Sequence, residues 1–265
     1  MSDSVRWSVF ATTLGERPQV IAELDADAEL PSASAAKILV LLAASAGVED
    51  AQLRIDEPLD RRRVAPVGDS GLWQHLASDA LPLGDAATLV GAVSDNLATN
   101  VLIDRLGGVD AVEAVAVEMG IEGVHLHDIV RDGRMPQHPP ALSTGTARGY
   151  ATLMSRLAMA DGIRPAVADR VVGWLAAGTD LSMVAAAFGL DPLAHTAPDR
   201  GMALVNKTGT DEGVRVDLGL VRGPRGVVAY ASLAHWQPSA GDPERDAVLE
   251  SMRTLGAQVS AAVGG

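Results

Sequence analysis

Cysteine is absent from the 265 residues. The chain therefore carries no disulfide, no thiol nucleophile and no Cys-ligated zinc, which fits a reducing compartment. Aromatic residues make up only 3%, so a core has to be built from Ala, Val and Leu. Basic charge is also short. Lys+Arg 21 against Asp+Glu 34 gives a formal net charge of −13. That balance argues against nucleic acid and against an anionic membrane surface as partners, because both need a basic footprint. Long hydrophobic runs are missing too. The longest, residues 38–48, is interrupted by Ser45 and falls far short of a membrane span. The first twenty residues have no basic segment followed by an apolar one, so they do not read as a signal peptide, and the expected location is the cytoplasm.

What is present is ordinary for a globular protein: 48% hydrophobic and 21% charged residues. Residues 5–12 and 18–24 are β-branched and apolar around Gly15-Glu16-Arg17-Pro18, which predicts an N-terminal hairpin. From about 33 to 195 the periodicity is mostly helical. Val112, Val115, Ala116 and Met119 follow helical spacing up to Gly120, and Gly107-Gly108 stops the helix that ends at Leu106. Helices are expected at 146–159 and 165–177. Residues 124–144, with three His and three Pro, read as a long irregular loop, and such loops are usually functional or mobile. Strands are expected at 202–207, 215–222 and 226–234. Asp242-Pro243 then marks a helix start, with Asp as cap and Pro at the first helical position. Strands at both ends with helices between them make an α+β pattern, in which the terminal strands share one antiparallel sheet. We expect one unit in two lobes: 1–33 plus 200–265 as the sheet lobe and 34–199 as the helical lobe, with a ligand cleft where they meet.

Three short motifs occur in order. Ser34-Ala35-Ala36-Lys37 is S-x-x-K, Ser94-Asp95-Asn96 is S-D-N, and Lys207-Thr208-Gly209 is K-T-G. Each alone is weak; the ordered set is specific. Ser34 precedes the apolar run from Ile38, at the start of a buried helix, and three residues place Lys37 on its face. A helix N-terminus favours a developing oxyanion. A buried amine beside other positive charge can accept a hydroxyl proton. K-T-G closes a strand, whose edge can hold an acyl donor in extended form.

This set resembles that of class A β-lactamases and the wider penicillin-recognising serine hydrolases. The likeness runs from about residue 5 to the C-terminus. It includes SDNLATNVLIDRLGG (94–108), KTGTDEGVRVDLG (207–219) and the Ser70–Leu76 segment ahead of the second motif. The resemblance implies a five-stranded antiparallel sheet flanked by terminal helices, with a mostly helical insertion. It implies Ser34 as the acylated nucleophile and Lys37 as its proton acceptor. Ser94 would pass the proton to the leaving nitrogen, helped by Lys207. Asn96 would orient the substrate's side-chain amide, while Thr208, Gly209 and Thr210 would bind its carboxylate and backbone. The backbone N–H groups of Ser34 and Thr210 would form the oxyanion hole. The implied ligand is a small molecule, a β-lactam or related amide or ester, with no cofactor.

One element of the resemblance is missing. Class A enzymes carry Glu-x-x-Leu-Asn after the S-D-N helix, and its Glu activates the deacylating water. Here the acids between 121 and 147 are Glu122, Asp128 and Asp132, and the expected Glu falls near Val130. Asp128, Asp132, His125 and His127 are candidate replacements. Acylation is then expected to survive while deacylation slows or uses another group. His125 and His127 invite a metal reading, but no third and fourth ligands accompany them, so no metal is expected. Trp73 and Trp174 can line the cleft or pack in the core, and Arg215 can reach the carboxylate site or pair across the sheet.

Overall fold

A computed structural model describes residues 4–193, 197–239 and 242–264. The N-terminal hairpin is β1 (Val5–Leu14) and β2 (Val20–Leu24). After β3 (Leu30–Pro31), a 3-10 turn at Ala33–Ala36 leads into α1 (Lys37–Glu49). A short ladder, β4 (Pro58–Asp60) with β5 (Ala80–Pro82), precedes α2 (Leu83–Val93), α3 (Asn96–Leu106) and α4 (Val109–Glu118). Next come β6 (Val124–Leu126), β7 (Ser143–Gly145), α5 (Ala147–Met159) and α6 (Pro165–Ala176). The chain ends with β8 (Ala203–Asp211), β9 (Val214–Gly223), β10 (Gly226–Trp236) and α7 (Pro243–Val263). Among the described residues no helix is long and apolar enough to cross a membrane.

The main sheet is antiparallel with strand order β2-β1-β10-β9-β8. Both faces are covered, and alternation along β10 assigns its side chains to them. Val228, Tyr230, Ala234 and Trp236 pack with Val248, Met252 and Val259 of α7. Ala229, Ala231 and Leu233 join the larger core, which also holds Leu153 and Leu157 of α5 and residues 38–44 of α1. Every residue of α1 from Lys37 to Gly47 is buried. The helix is thus the central post of the helical region, and its apolar positions run all round rather than along one stripe.

Local chemistry sets the boundaries. Asp95 caps α3 by accepting from Ala98 N–H, and Gly107 ends it at φ 98. Thr146 caps α5, and Pro165 occupies the first turn of α6. Two expectations need correction. Asp242 does not cap α7. Its backbone is left-handed (φ 44), and its carboxylate instead accepts from Trp236 Nε1 at 2.7 Å, tying the helix start to β10. The 124–144 region is not wholly irregular either: β6 and β7 at its ends pair with each other, and β7 pairs with β3. Only 127–142 lies outside these strands, held at its base beside the turn that carries Ser34.

Candidate functional site

Ser34 sits in the 3-10 turn before α1, half-buried, and lines a cleft of about 1020 Å³ between the helical region and β8. Its neighbour Ala33 is left-handed at φ 48, a conformation that costs a non-glycine residue about 1–3 kcal/mol. A buried network holds it there. Ser143 Oγ donates to Ala33 O at 2.6 Å, Ser32 Oγ and Ser143 Oγ lie 2.7 Å apart, and Tyr150 OH donates to Ser32 Oγ at 2.7 Å. Ser34 Oγ has no hydrogen-bond partner among the described residues, so its hydroxyl is presented unpaired to the cleft.

Lys37 lies beneath it, fully buried. Its Nζ donates to Ser94 O at 2.6 Å and to Asn96 Oδ1 at 2.7 Å, and lies 3.3 Å from Ser94 Oγ. Burial first, then the charge of Lys207, hold the amine well below the usual lysine range, against the pull of Asp95 and Asp69. A neutral amine has two N–H bonds and one lone pair. The two pure acceptors take the N–H bonds, which leaves the lone pair to accept a proton. Lys37 makes no hydrogen bond to Ser34; in this resting arrangement it is turned toward the second motif.

Ser94 ends α2 in a left-handed conformation, φ 55, which lifts its hydroxyl into the cleft between the two lysines. Lys207 Nζ donates to Ser94 Oγ at 2.9 Å and to Thr208 O at 2.7 Å. Burial lowers Lys207 to about 8, with Asp180 and Asp217 opposing. Asn96 completes the link by donating from Nδ2 to Gly68 O at 2.9 Å. Lys37 and Lys207 are the only lysines in the chain, and both are buried here.

β8 is the outer strand of the sheet, with its free edge toward the cleft. Lys207, buried Thr208 and exposed Thr210 line the cleft along it. Gly209 has a different task. A Cβ there would lie 2.3 Å from Ser32 O and 3.0 Å from Ala35 N, so only glycine lets the strand touch the turn that carries Ser34.

A model of the beta-lactamase enzyme family matches residues 2–262. The chain belongs to the beta-lactamase enzyme family. A search of curated proteins finds no match. Among solved structures, a point mutant of PBP-A in an acyl-enzyme complex with penicillin G superposes with TM-score 0.80 at 22% identity, covering 99% of this chain and 91% of that one. A β-lactamase from Sphaerobacter thermophilus gives 0.77 at 22%, covering 97% and 91%. A class A β-lactamase from Mycobacterium abscessus gives 0.78 at 19%, covering 98% and 94%. The family match over nearly the whole chain and the shared fold agree with each other.

In this family member the 127–142 loop brings no acid opposite Ser34 at the expected place. Asn100 clamps Val130 from both sides, donating to Val130 O and accepting from Val130 N, each at 2.8 Å. An apolar side chain therefore lines the cleft there. Three of the four candidate bases lie outside the cleft lining. Asp128 is engaged by Arg131 and Arg134 at 2.8 and 2.7 Å; burial pulls its carboxyl up, but those hydrogen bonds outweigh it and hold it below the usual range. His125 Nδ1 faces Glu113 at 3.4 Å, and His127 Nε2 lies 2.8 Å from Thr144 Oγ1. Asp132 does line the cleft, with Oδ1 accepting from Gly68 N–H at 2.8 Å.

Trp73 and Trp174 are core residues, the former fully buried with Nε1 donating to Ser78 O. Arg215 turns away from the cleft lining: it donates to Asp211 O and Val214 O and stacks over Trp236. The sequence reading missed how far Asp95 anchors the site: besides capping α3 through Ala98 N–H, its buried carboxylate accepts from Leu72 N–H and Trp73 N–H. It also missed Asn100 as the loop clamp. Its spacing, four residues after Asn96 on one helix face, is the signal that could have found it.

Proposed function

We propose that this chain is a serine hydrolase that forms an acyl-enzyme on Ser34 with a β-lactam or a related cyclic amide or ester, and releases it slowly. The observation that carries this reading is one buried relay, Lys37–Ser94–Lys207, opening onto the same cleft as an unpaired serine hydroxyl. Neutral Lys37 takes the proton of Ser34 as Oγ attacks the carbonyl carbon. The backbone N–H groups of Ser34 and Thr210 receive the oxyanion; such a donor is typically worth about 10²–10³ in rate. As the C–N bond breaks, the Ser94 hydroxyl protonates the leaving nitrogen and is refilled from Lys37. The Lys207 ammonium holds Ser94 Oγ in place and attracts a substrate carboxylate.

Slow release is favoured by Val130, which occupies the clamped position without a carboxylate. A positioned base typically contributes about 10²–10⁴, and the ester formed on Ser34 would lack it. Intact-protein mass spectrometry with penicillin G tests both parts. The expected result is a long-lived adduct that Ser34→Ala abolishes. Rapid turnover without accumulation would overturn slow release. Absence of both adduct and hydrolysis across a panel of β-lactams and esters would overturn the hydrolase and leave a binding module on this scaffold.

A further inference from the structure

Lys207 is a buried ammonium without a carboxylate beside it: its Nζ meets two neutral oxygens, Ser94 Oγ and Thr208 O. A buried charge needs compensation, or it loses its proton. Of the three buried acids, Asp95 holds three backbone N–H groups and Asp128 is paired with two arginines, which leaves Asp217. Asp217 of β9 stands directly opposite Thr208 in the β8–β9 register and is fully buried. Three donors converge on its carboxylate: Ala185 N–H at 3.2 Å, Asn206 Nδ2 at 3.2 Å and Tyr230 OH at 3.1 Å. Asn206 Nδ2 also donates to Asp180 O at 3.1 Å, which fastens the segment after α6 to the same cluster. Among the described residues no cation touches Asp217. Its donors come from β8, β10 and the 3-10 turn at Val184–Phe188.

We infer that Asp217 is the counter-charge that keeps Lys207 protonated from the opposite face of the sheet, a positioning residue for acylation, while Asp180 adds its charge from the cleft side. Three donors on one carboxylate favour the anion, and burial opposes them. Burial is the larger effect and brings Asp217 up to about 7. The groups that bear on this balance are Asp180, Tyr230, Asn206 and Lys207 around the acid, and Lys37 and Ser94 on the cleft side of Lys207. Both partners then titrate near neutrality: Lys207 loses its proton on the alkaline side, and Asp217 loses its charge on the acid side.

The test uses the full chain labelled with ¹³C-lysine. Two lysines give two Cε signals, which Lys207→Arg assigns. In the unsubstituted protein the Lys207 signal should move with a midpoint near 8. In Asp217→Asn that midpoint should fall by about 0.5–1 pH. Tyr230→Phe, which removes one donor from Asp217, should lower it in the same direction by less. The alkaline limb of the penicillin G acylation rate should shift with it. Unchanged Lys207 midpoints, with rates reduced equally at every pH, would mean a purely structural role and overturn the inference. If Asp217→Asn does not fold, Tyr230→Phe decides alone. The kinetic arm rests on the proposed hydrolase reading. Should no β-lactam acylate the unsubstituted protein, that reading fails, while the lysine midpoints still decide whether Asp217 is the counter-charge.

Discussion

Lys37 donates to Ser94 O and Asn96 Oδ1 and leaves Ser34 Oγ alone; in the proposed reaction the amine turns from these acceptors to that hydroxyl. Acylation should therefore rise once Lys37 is neutral and fall as Lys207 deprotonates near 8. Stopped-flow acylation against pH should show that alkaline limb, and a rate still climbing at pH 10 would refute it. At Val130 the clamp of Asn100 already fixes the backbone. Val130→Glu should place a carboxylate at the cleft and shorten the lifetime of the Ser34 adduct by up to about 10²-fold, the lower end of what a positioned base provides. Mass spectrometry after removal of free β-lactam reads that lifetime directly. Ser34, Lys37, Ser94 and Lys207 are legible in the sequence as candidates because their motifs keep fixed local spacing, and the structure gathers them around one cleft. Tyr150 and Asp217 are not, because their roles arise from contacts to residues 118 and 13 positions away. Asp128 and the two histidines looked available on paper. The structure shows Asp128 consumed by Arg131 and Arg134, neighbours whose reach the sequence alone does not settle.

At the level of elements, the turn that carries Ser34 is held by a strand on one side and a helix on the other. β8 closes on it through Gly209, and α5 supports it through Tyr150. Gly209→Ala would force the strand off Ser32 and Ala35. We expect a stability loss of about 1–3 kcal/mol and an acylation rate that falls far more steeply than the melting temperature. Tyr150→Phe removes a buried donor and should cost about 1–2 kcal/mol in chemical denaturation. Because Ser32 would then hold Ser143, the donor to Ala33 O, less firmly, slower acylation should accompany it; an unaltered acylation rate would mean the left-handed turn holds itself. Helix and strand order could be read from periodicity and from glycine and proline signals. The small sheet of β3, β7 and β6 could not, since strands of two or three residues carry too little pattern to separate from loop.

For the molecule as a whole, charge is the governing quantity. Asp69, Asp132, Asp180, Asp211 and Glu212 line the cleft, against Lys207 and the one positive charge left when Asp128 pairs with both Arg131 and Arg134. Added to a net charge of −13, this field opposes an anionic β-lactam. Raising ionic strength from low to about 0.5 M should speed acylation by penicillin G roughly two- to tenfold, with little effect on a neutral ester. An equal response of both substrates would show that the field does not reach Ser34. The confinement of both lysines to the cleft floor has a consequence of another kind. The folded surface offers no ε-amine. Isopeptide-linked degradation tags, glycation by reducing sugars and amine-coupling dyes have no side chain to attack on the native protein. Lysine conjugates should appear only once the chain has unfolded, which turns amine labelling into a direct counter of the unfolded fraction.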